Sequence, residues 1–135
     1  MAEQTQPRPG LIDTDILVDV LRGFAPAAQF VGNQVNSPAG MAISSITEME
    51  LIVGCTNTVD LRRVQILLMA ADKIHVSKDE SLQAVNWLST YRLSHGLTVP
   101  DALIAASALI SGLPLYTKNT RHFQMLPSLH LIRPY

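Results

Sequence analysis

A single cysteine, Cys55, stands among 135 residues. That excludes an intrachain disulfide and, with it, a small secreted domain held by staples. Aromatic residues are scarce at 5 % and charged residues reach only 16 %, against about 25 % charged in an average soluble domain. Neither sign of charge dominates, since 10 Lys+Arg face 11 Asp+Glu for a net charge of −1. A generally basic nucleic-acid coat is therefore excluded, because there is no global excess of cations to displace counterions. Any nucleic-acid partner must be held by a local patch or through metal ions. Long apolar runs are also missing. The longest, residues 102–110, contains Ser107 and stops at Ser111 and Gly112, whereas spanning a bilayer takes about 20 apolar residues. The first ten residues carry Pro7 and Pro9 and no stretch of signal-peptide type. They read as a flexible leader (1–10) before a single domain (11–135), and the chain reads as cytoplasmic and without membrane contact.

What is abundant is apolar content, 47 % with a mean hydropathy of +0.21. This excludes a disordered chain and points to a surface that a partner or a second copy covers. Leu11-Ile12 forms a short buried strand, followed by Ile16, Leu17, Val20 and Leu21 at helical spacing until Gly23. A second helix is predicted over 27–35, ended by Asn36, Ser37 and Pro38. Residues 41–44 form a second strand. Two overlapping capping-box patterns, Ser45 with Glu48 and Thr47 with Glu50, then start a helix running to about Gly54. A helix from about Val59 ends near Asp72 and Lys73, and 74–76 is a third strand. Leu82, Val85, Leu88 and Tyr91 mark a helix over 78–95, stopped by Gly96. Pro100 and Asp101 open the most apolar helix, ended by Gly112. Residues 113–117 are a fourth strand and 129–132 a fifth, at an edge. Short apolar strands alternating with longer helices predict an α/β fold with a parallel sheet covered on both faces.

In such sheets ligands sit outside the carboxyl ends of the strands. Asp13 ends the first strand, Glu50 lies early in the helix after the second, Asp101 begins the helix before the fourth, and Asn119 follows that fourth strand. An acid directly after a buried strand gains nothing from core packing, so Asp13 is the least easily dismissed. Carboxylates gathered in one cleft raise each other's pKa unless a cation is present. Oxygen ligands suit magnesium or manganese better than zinc. Such an ion activates water and offsets phosphoryl charge, so metal-assisted phosphodiester hydrolysis is the reaction class.

These residues carry a resemblance. LIDTDIL (11–17) looks like the first motif of PIN-domain ribonucleases, and SSITEMELIVG (44–54) is similar to their second, in a register that selects Glu50 over Glu48. PDALIAASA (100–108) resembles the third motif and TKNTRHF (117–123) the fourth. Four motifs in order, with this length, look like the VapC-type toxins of bacterial toxin–antitoxin pairs. The resemblance implies a three-layer α/β/α sandwich with a parallel sheet of four or five strands, usually dimeric. It also implies Mg²⁺ or Mn²⁺, an RNA substrate and an antitoxin partner. Asp13, Glu50 and Asp101 would be the acidic core and metal ligands, with Asn119 as a further catalytic residue. Thr14, Asp15, Thr117, Lys118, Arg121 and His122 would stand beside the site or touch substrate. Many family members carry another acid in the fourth motif. Here Asn119 and His122 stand instead, and Asn119 accepts hydrogen bonds without bringing charge.

Two other functions use the same residues. Asp13-Thr14-Asp15 after an apolar strand resembles the nucleophile motif of haloacid-dehalogenase-type phosphatases. That family, however, expects Thr or Val where Leu17 stands and an acidic pair after its later lysine. A PIN fold lacking the fourth acid would serve only as a binding module, against which stand three intact acids.

Overall fold

A computed structural model describes residues 9–135. Five strands form one sheet: β1 (Gly10–Ile12), β2 (Met41–Ser44), β3 (Ala71–Ile74), β4 (Leu115–Tyr116) and β5 (Leu131–Ile132). Their order is β3-β2-β1-β4-β5, and every pairing is parallel. Two helices connect β1 to β2, α1 (Thr14–Leu21) and α2 (Ala25–Asn36). Another two, α3 (Ser45–Val53) and α4 (Thr58–Leu68), lead to β3. The return to β4 runs through α5 (Lys78–His95) and α6 (Val99–Ser111), and a short 3₁₀ turn, Thr120–His122, precedes β5.

The pleat sorts the core into two layers. Leu11, Ala42 and Leu115 face Trp87 of α5, the alanines of α6 and Phe123. Ile12, Met41 and Ile43 face Ile16 and Leu17 of α1, Val31 of α2, Leu51 of α3 and Val64 and Leu68 of α4. The result is the expected α/β/α sandwich, with five strands. A side chain on Gly10 would put its Cβ 1.9 Å from the Tyr116 ring, so the close approach of β1 to β4 requires glycine there.

Several expected boundaries move. The leader assigned to 1–10 includes Gly10, which is already the first residue of β1. The rest of it, residues 1–8, lies outside the described residues. β3 covers Ala71–Ile74 instead of 74–76, and α4 stops at Leu68 instead of near Asp72. β3 is an edge strand with Asp72 and Lys73 exposed, and an edge tolerates charge that no buried strand would carry. The cap of α3 is Ser44, whose Oγ accepts from Ile46 N at 3.1 Å, and not Ser45 or Thr47, which are buried. Leu82 and Val85 point outward at 57 % and 59 % exposure. α5 packs through Ala84, Trp87, Leu88 and Tyr91, because small alanines on α6 admit the larger side chains of that face. Among the described residues no helix is long and apolar enough to cross a membrane.

Candidate active site

The strand order reverses direction between β1 and β4, the switch point where an open parallel sheet leaves a crevice at its carboxyl edge. Asp13 sits at that point. It caps α1 by accepting Thr14 N at Oδ1 (2.8 Å), and its Oδ2 accepts the Thr117 hydroxyl that follows β4 (2.8 Å). Around it opens a cleft of about 380 Å³ lined by Asp13, Thr14, Asp15, Asp19, Glu50 and Asp101, together with Lys118, Asn119 and His122.

The acids arrive from both layers. Glu50, on α3, is exposed and held by the Thr14 hydroxyl, which donates to its Oε1 at 2.8 Å and lies 3.0 Å from the Thr47 hydroxyl. Asp101, in the first turn of α6, stands 3.5 Å from His122 Nδ1. Asp15, in the first turn of α1, reaches over the loop after β4. Its Oδ2 accepts Lys118 N and Asn119 Nδ2, each at 3.0 Å, and lies 3.3 Å from the Thr117 hydroxyl. Its other oxygen, Oδ1, is buried without a hydrogen-bond partner.

This crowding shows in the acidities. Burial pushes the Asp13 carboxyl up to about 8, helped by the charges of Asp15 and Asp101 and opposed by the bonds from Thr117 and Thr14. Burial also raises Asp101; the neighbouring His122 opposes it, while Glu50 and Asp15 add to it. The lining is rich in carboxylate, with His122 the one imidazole among it, and such oxygen donors fit a hard divalent cation. An orphaned buried carboxyl oxygen and a carboxyl pushed up by burial and then by like charges are what such an ion would relieve. Among the described residues no three His, Cys, Asp or Glu side chains already enclose a point where an ion would sit. Glu50 and Asp101 are turned to Thr14 and His122, partners from which both can rotate.

Sequence reading therefore picked Asp13, Glu50, Asp101, Asn119, Thr14, Asp15, Lys118 and His122, all of which line this cleft, and Thr117, which is buried beneath it. Arg121 stands apart from it, exposed in an adjoining cleft of about 430 Å³ that Lys118, His122 and Arg133 also line. Asp19 and Tyr135 were missed. Lys118 Nζ lies 2.7 Å from Asp19 Oδ2, and the Tyr135 hydroxyl donates to the same oxygen at 2.8 Å. Lys118 first, then Tyr135, hold the Asp19 carboxyl below its usual range. Burial and that same carboxylate push the Tyr135 phenol above its own. Asp19 is one acid inside an amphipathic helix, and partners about a hundred residues away leave no local signal.

Comparison with known proteins adds an independent line. The family model described as "PIN domain" matches residues 10–126. "Ribonuclease VapC19" of Mycobacterium tuberculosis is 35 % identical over 120 residues, covering 88 % of this chain and 95 % of that protein. Among solved structures, a toxin–antitoxin complex from Klebsiella pneumoniae superposes with a TM-score of 0.74 at 33 % identity, covering 93 % of this chain and 98 % of the other. The DNA-bound VapBC of Salmonella typhimurium gives a TM-score of 0.80 at 20 % identity over 96 % of this chain and 100 % of that one, a likeness of fold alone.

Proposed function

The chain belongs to the PIN-domain family, and on that premise we propose that it is a VapC-type endoribonuclease, a divalent-metal-dependent hydrolase of RNA phosphodiester bonds, acting as the toxin of a toxin–antitoxin pair in the cytoplasm. The observation that carries this reading is Asp13. Its carboxyl is buried at the switch point, bonded only by Thr14 N and the Thr117 hydroxyl, and pushed up to about 8 with acids from both layers facing it. Capping α1 explains one of its oxygens but does not call for further acids around it, and a phosphodiester's negative charge would not approach it unaided.

Asp13, Asp101 and Glu50 are the residues that would hold Mg²⁺ or Mn²⁺ here. When bound, the ion supplies neutralising charge for the phosphate and acidifies a water molecule. The remaining work falls to the protein. Thr117 and Thr14 N fix the Asp13 carboxylate, and Thr14 aims Glu50. Lys118, tethered by Asp19, sets a positive charge at the rim of the cleft. His122, with Nδ1 toward Asp101, keeps Nε2 for a proton passed to the leaving oxygen. Arg121, exposed in the adjoining cleft, would meet the RNA backbone as it leaves the site.

A partner is supported by the apolar surface. Val53, Met69 and Leu93 are 84 %, 83 % and 100 % exposed. A groove of about 340 Å³ lined by Val18, Leu21, Leu51, Cys55 and Val64 runs into the acid cleft through Arg22 and Glu50. An antitoxin segment seated there would cover apolar surface and the site together, and a second copy of the chain would cover the rest.

The test is cleavage of RNA by the purified protein. Cleavage should need Mg²⁺ or Mn²⁺, stop in EDTA and return with added metal. Asp101→Asn should abolish it without loss of helical signal. Full activity in excess EDTA from nuclease-free protein would refute the proposal.

A further inference from the structure

The fourth motif lacks an acid, yet the cleft does not lack a fourth carboxylate. Asp15 brings one from the other side of the switch point, onto the same loop. Its Oδ2 is occupied by three groups of that loop: Lys118 N, Asn119 Nδ2 and, more distantly, the Thr117 hydroxyl. Its Oδ1 is the one buried side-chain oxygen or nitrogen without a hydrogen-bond partner among the described residues. A carboxyl oxygen shut away from water and left unbonded is costly, because its desolvation is uncompensated. Buried polar groups normally find a partner, and an orphan in a native fold calls for an absent water or ion. Of the acids acting on Asp13, Asp15 has the stronger effect, ahead of Asp101, so the two α1 carboxylates share one neighbourhood.

Asn119 then has a defined task. Its side-chain amide is spent on Asp15 Oδ2 (3.0 Å), a contact that an aspartate at 119 would turn into repulsion between carboxylates. A neutral residue at 119 and an acid at 15 are thus two halves of one exchange. We propose that Asp15 supplies the fourth carboxylate of the metal site through Oδ1, with Asn119 as the residue that positions it. This rests on reading the cleft as a metal centre, and it moves the missing charge from the loop after β4 to the first turn of α1. Asp15 also clamps the loop, so charge and clamp must be separated by experiment. Asparagine at 15 keeps an oxygen for Lys118 N while losing the charge.

Calorimetric titration with Mn²⁺ alone, without RNA, reads this directly, alongside the thermal midpoint of each metal-free protein. Asp15→Asn should bind Mn²⁺ about tenfold to a hundredfold more weakly than wild type, the range for losing a group that supports a metal. Asn119→Ala should weaken binding less. Asp15→Ser combined with Asn119→Asp should recover most of the affinity lost in Asp15→Ser, because it restores the carboxylate count across the same contact. Wild-type affinity in Asp15→Asn, with only a lower thermal midpoint, would make Asp15 a loop clamp and overturn the assignment while leaving the metal centre intact. No Mn²⁺ binding by wild type would overturn the metal centre itself and this assignment with it.

Discussion

Replacing Asp13 by asparagine should make the metal-free protein more stable at alkaline pH and no more stable at acid pH. The folded protein holds the Asp13 proton up to about pH 8, whereas the unfolded chain releases it near 3.8. Between those values the native state binds more protons than the unfolded state, so stability falls as pH rises across the window. At about 1.4 kcal/mol per pH unit, the interval from 3.8 to about 8 caps the cost of ionising Asp13 at about 6 kcal/mol. Rearrangement of Asp15 and Asp101 and entry of water return part of that, so a gain of about 1–3 kcal/mol is the reasonable expectation for the variant. Asparagine keeps the cap, since its Oδ1 accepts Thr14 N and its amide donates to the Thr117 hydroxyl in place of accepting from it. It gives up about 0.3–1 kcal/mol of charge–dipole attraction at the start of α1.

The only tryptophan, Trp87, is 2 % exposed, so its fluorescence reports global unfolding. In EDTA, the midpoint of Asp13→Asn should exceed that of wild type by several degrees at about pH 8.5, at roughly 4 °C per kcal/mol. The two should draw together as pH falls and converge only below about pH 3.8, where the wild-type carboxyl is protonated in both states. Added Mn²⁺ should raise the wild-type midpoint and leave the variant's where it was. A midpoint difference independent of pH, or a variant uniformly less stable than wild type, would refute the account of Asp13 as a strained acid.

Asp19→Asn should behave with the opposite sign. Lys118 and Tyr135 hold that carboxyl below its ordinary range, so its stabilisation is present above the unfolded pKa and lost as pH falls. The variant should cost about 1–2 kcal/mol at neutral pH, with the deficit shrinking in acid; denaturant melts at two pH values check it. Gly10→Ala should cost about 1–3 kcal/mol by driving a Cβ into the Tyr116 ring, measured by the same fluorescence melt. Phe123→Ala, which empties a fully buried position under the 117–123 loop, should cost about 3–5 kcal/mol.

How much of this could be read from the chain follows from where each residue sits. β1 and β2 are buried on both faces, so Leu11, Ile12 and 41–44 appear as plain apolar runs. β3 is an edge strand whose Asp72 and Lys73 are solvated, with Lys73 paired to Glu48 at 2.6 Å, and an apolar-run criterion passes over it. Asp13 follows a strand end and Asp101 opens a helix, which are local signals, whereas Glu50 lies in the second turn of α3 and is singled out only by the register of the motif around it. Asp15 is placed beside the site by the resemblance alone, with no local sign of the partners it holds. Its bonds run to residues 117–119 on the far side of the switch point, and only the closed sheet brings them within reach. Asp19 and Tyr135 were invisible for the same reason.

The cleft draws its acids from two layers that pack on opposite faces of the sheet. Asp13, Asp15 and Glu50 ride on α1 and α3, over the core of Ile12, Ile16, Leu17 and Leu51. Asp101 rides on α6, over the core of Leu11, Ala105 and Leu115. Their mutual repulsion therefore acts across the carboxyl edge, between bodies each anchored by its own buried residues, and not within one helix that could unwind to relieve it. The edge itself is tied by the Thr117 hydroxyl, which donates to Asp13, and by Asp15, which accepts from Lys118 N and Asn119 Nδ2. β1 and β4 pair through only two register positions, Leu11 with Leu115 and Ile12 with Tyr116. A like-charged cluster spread across so short a ladder is held by packing on both faces, and a cation binding among those charges would tighten the same seam that the charges strain.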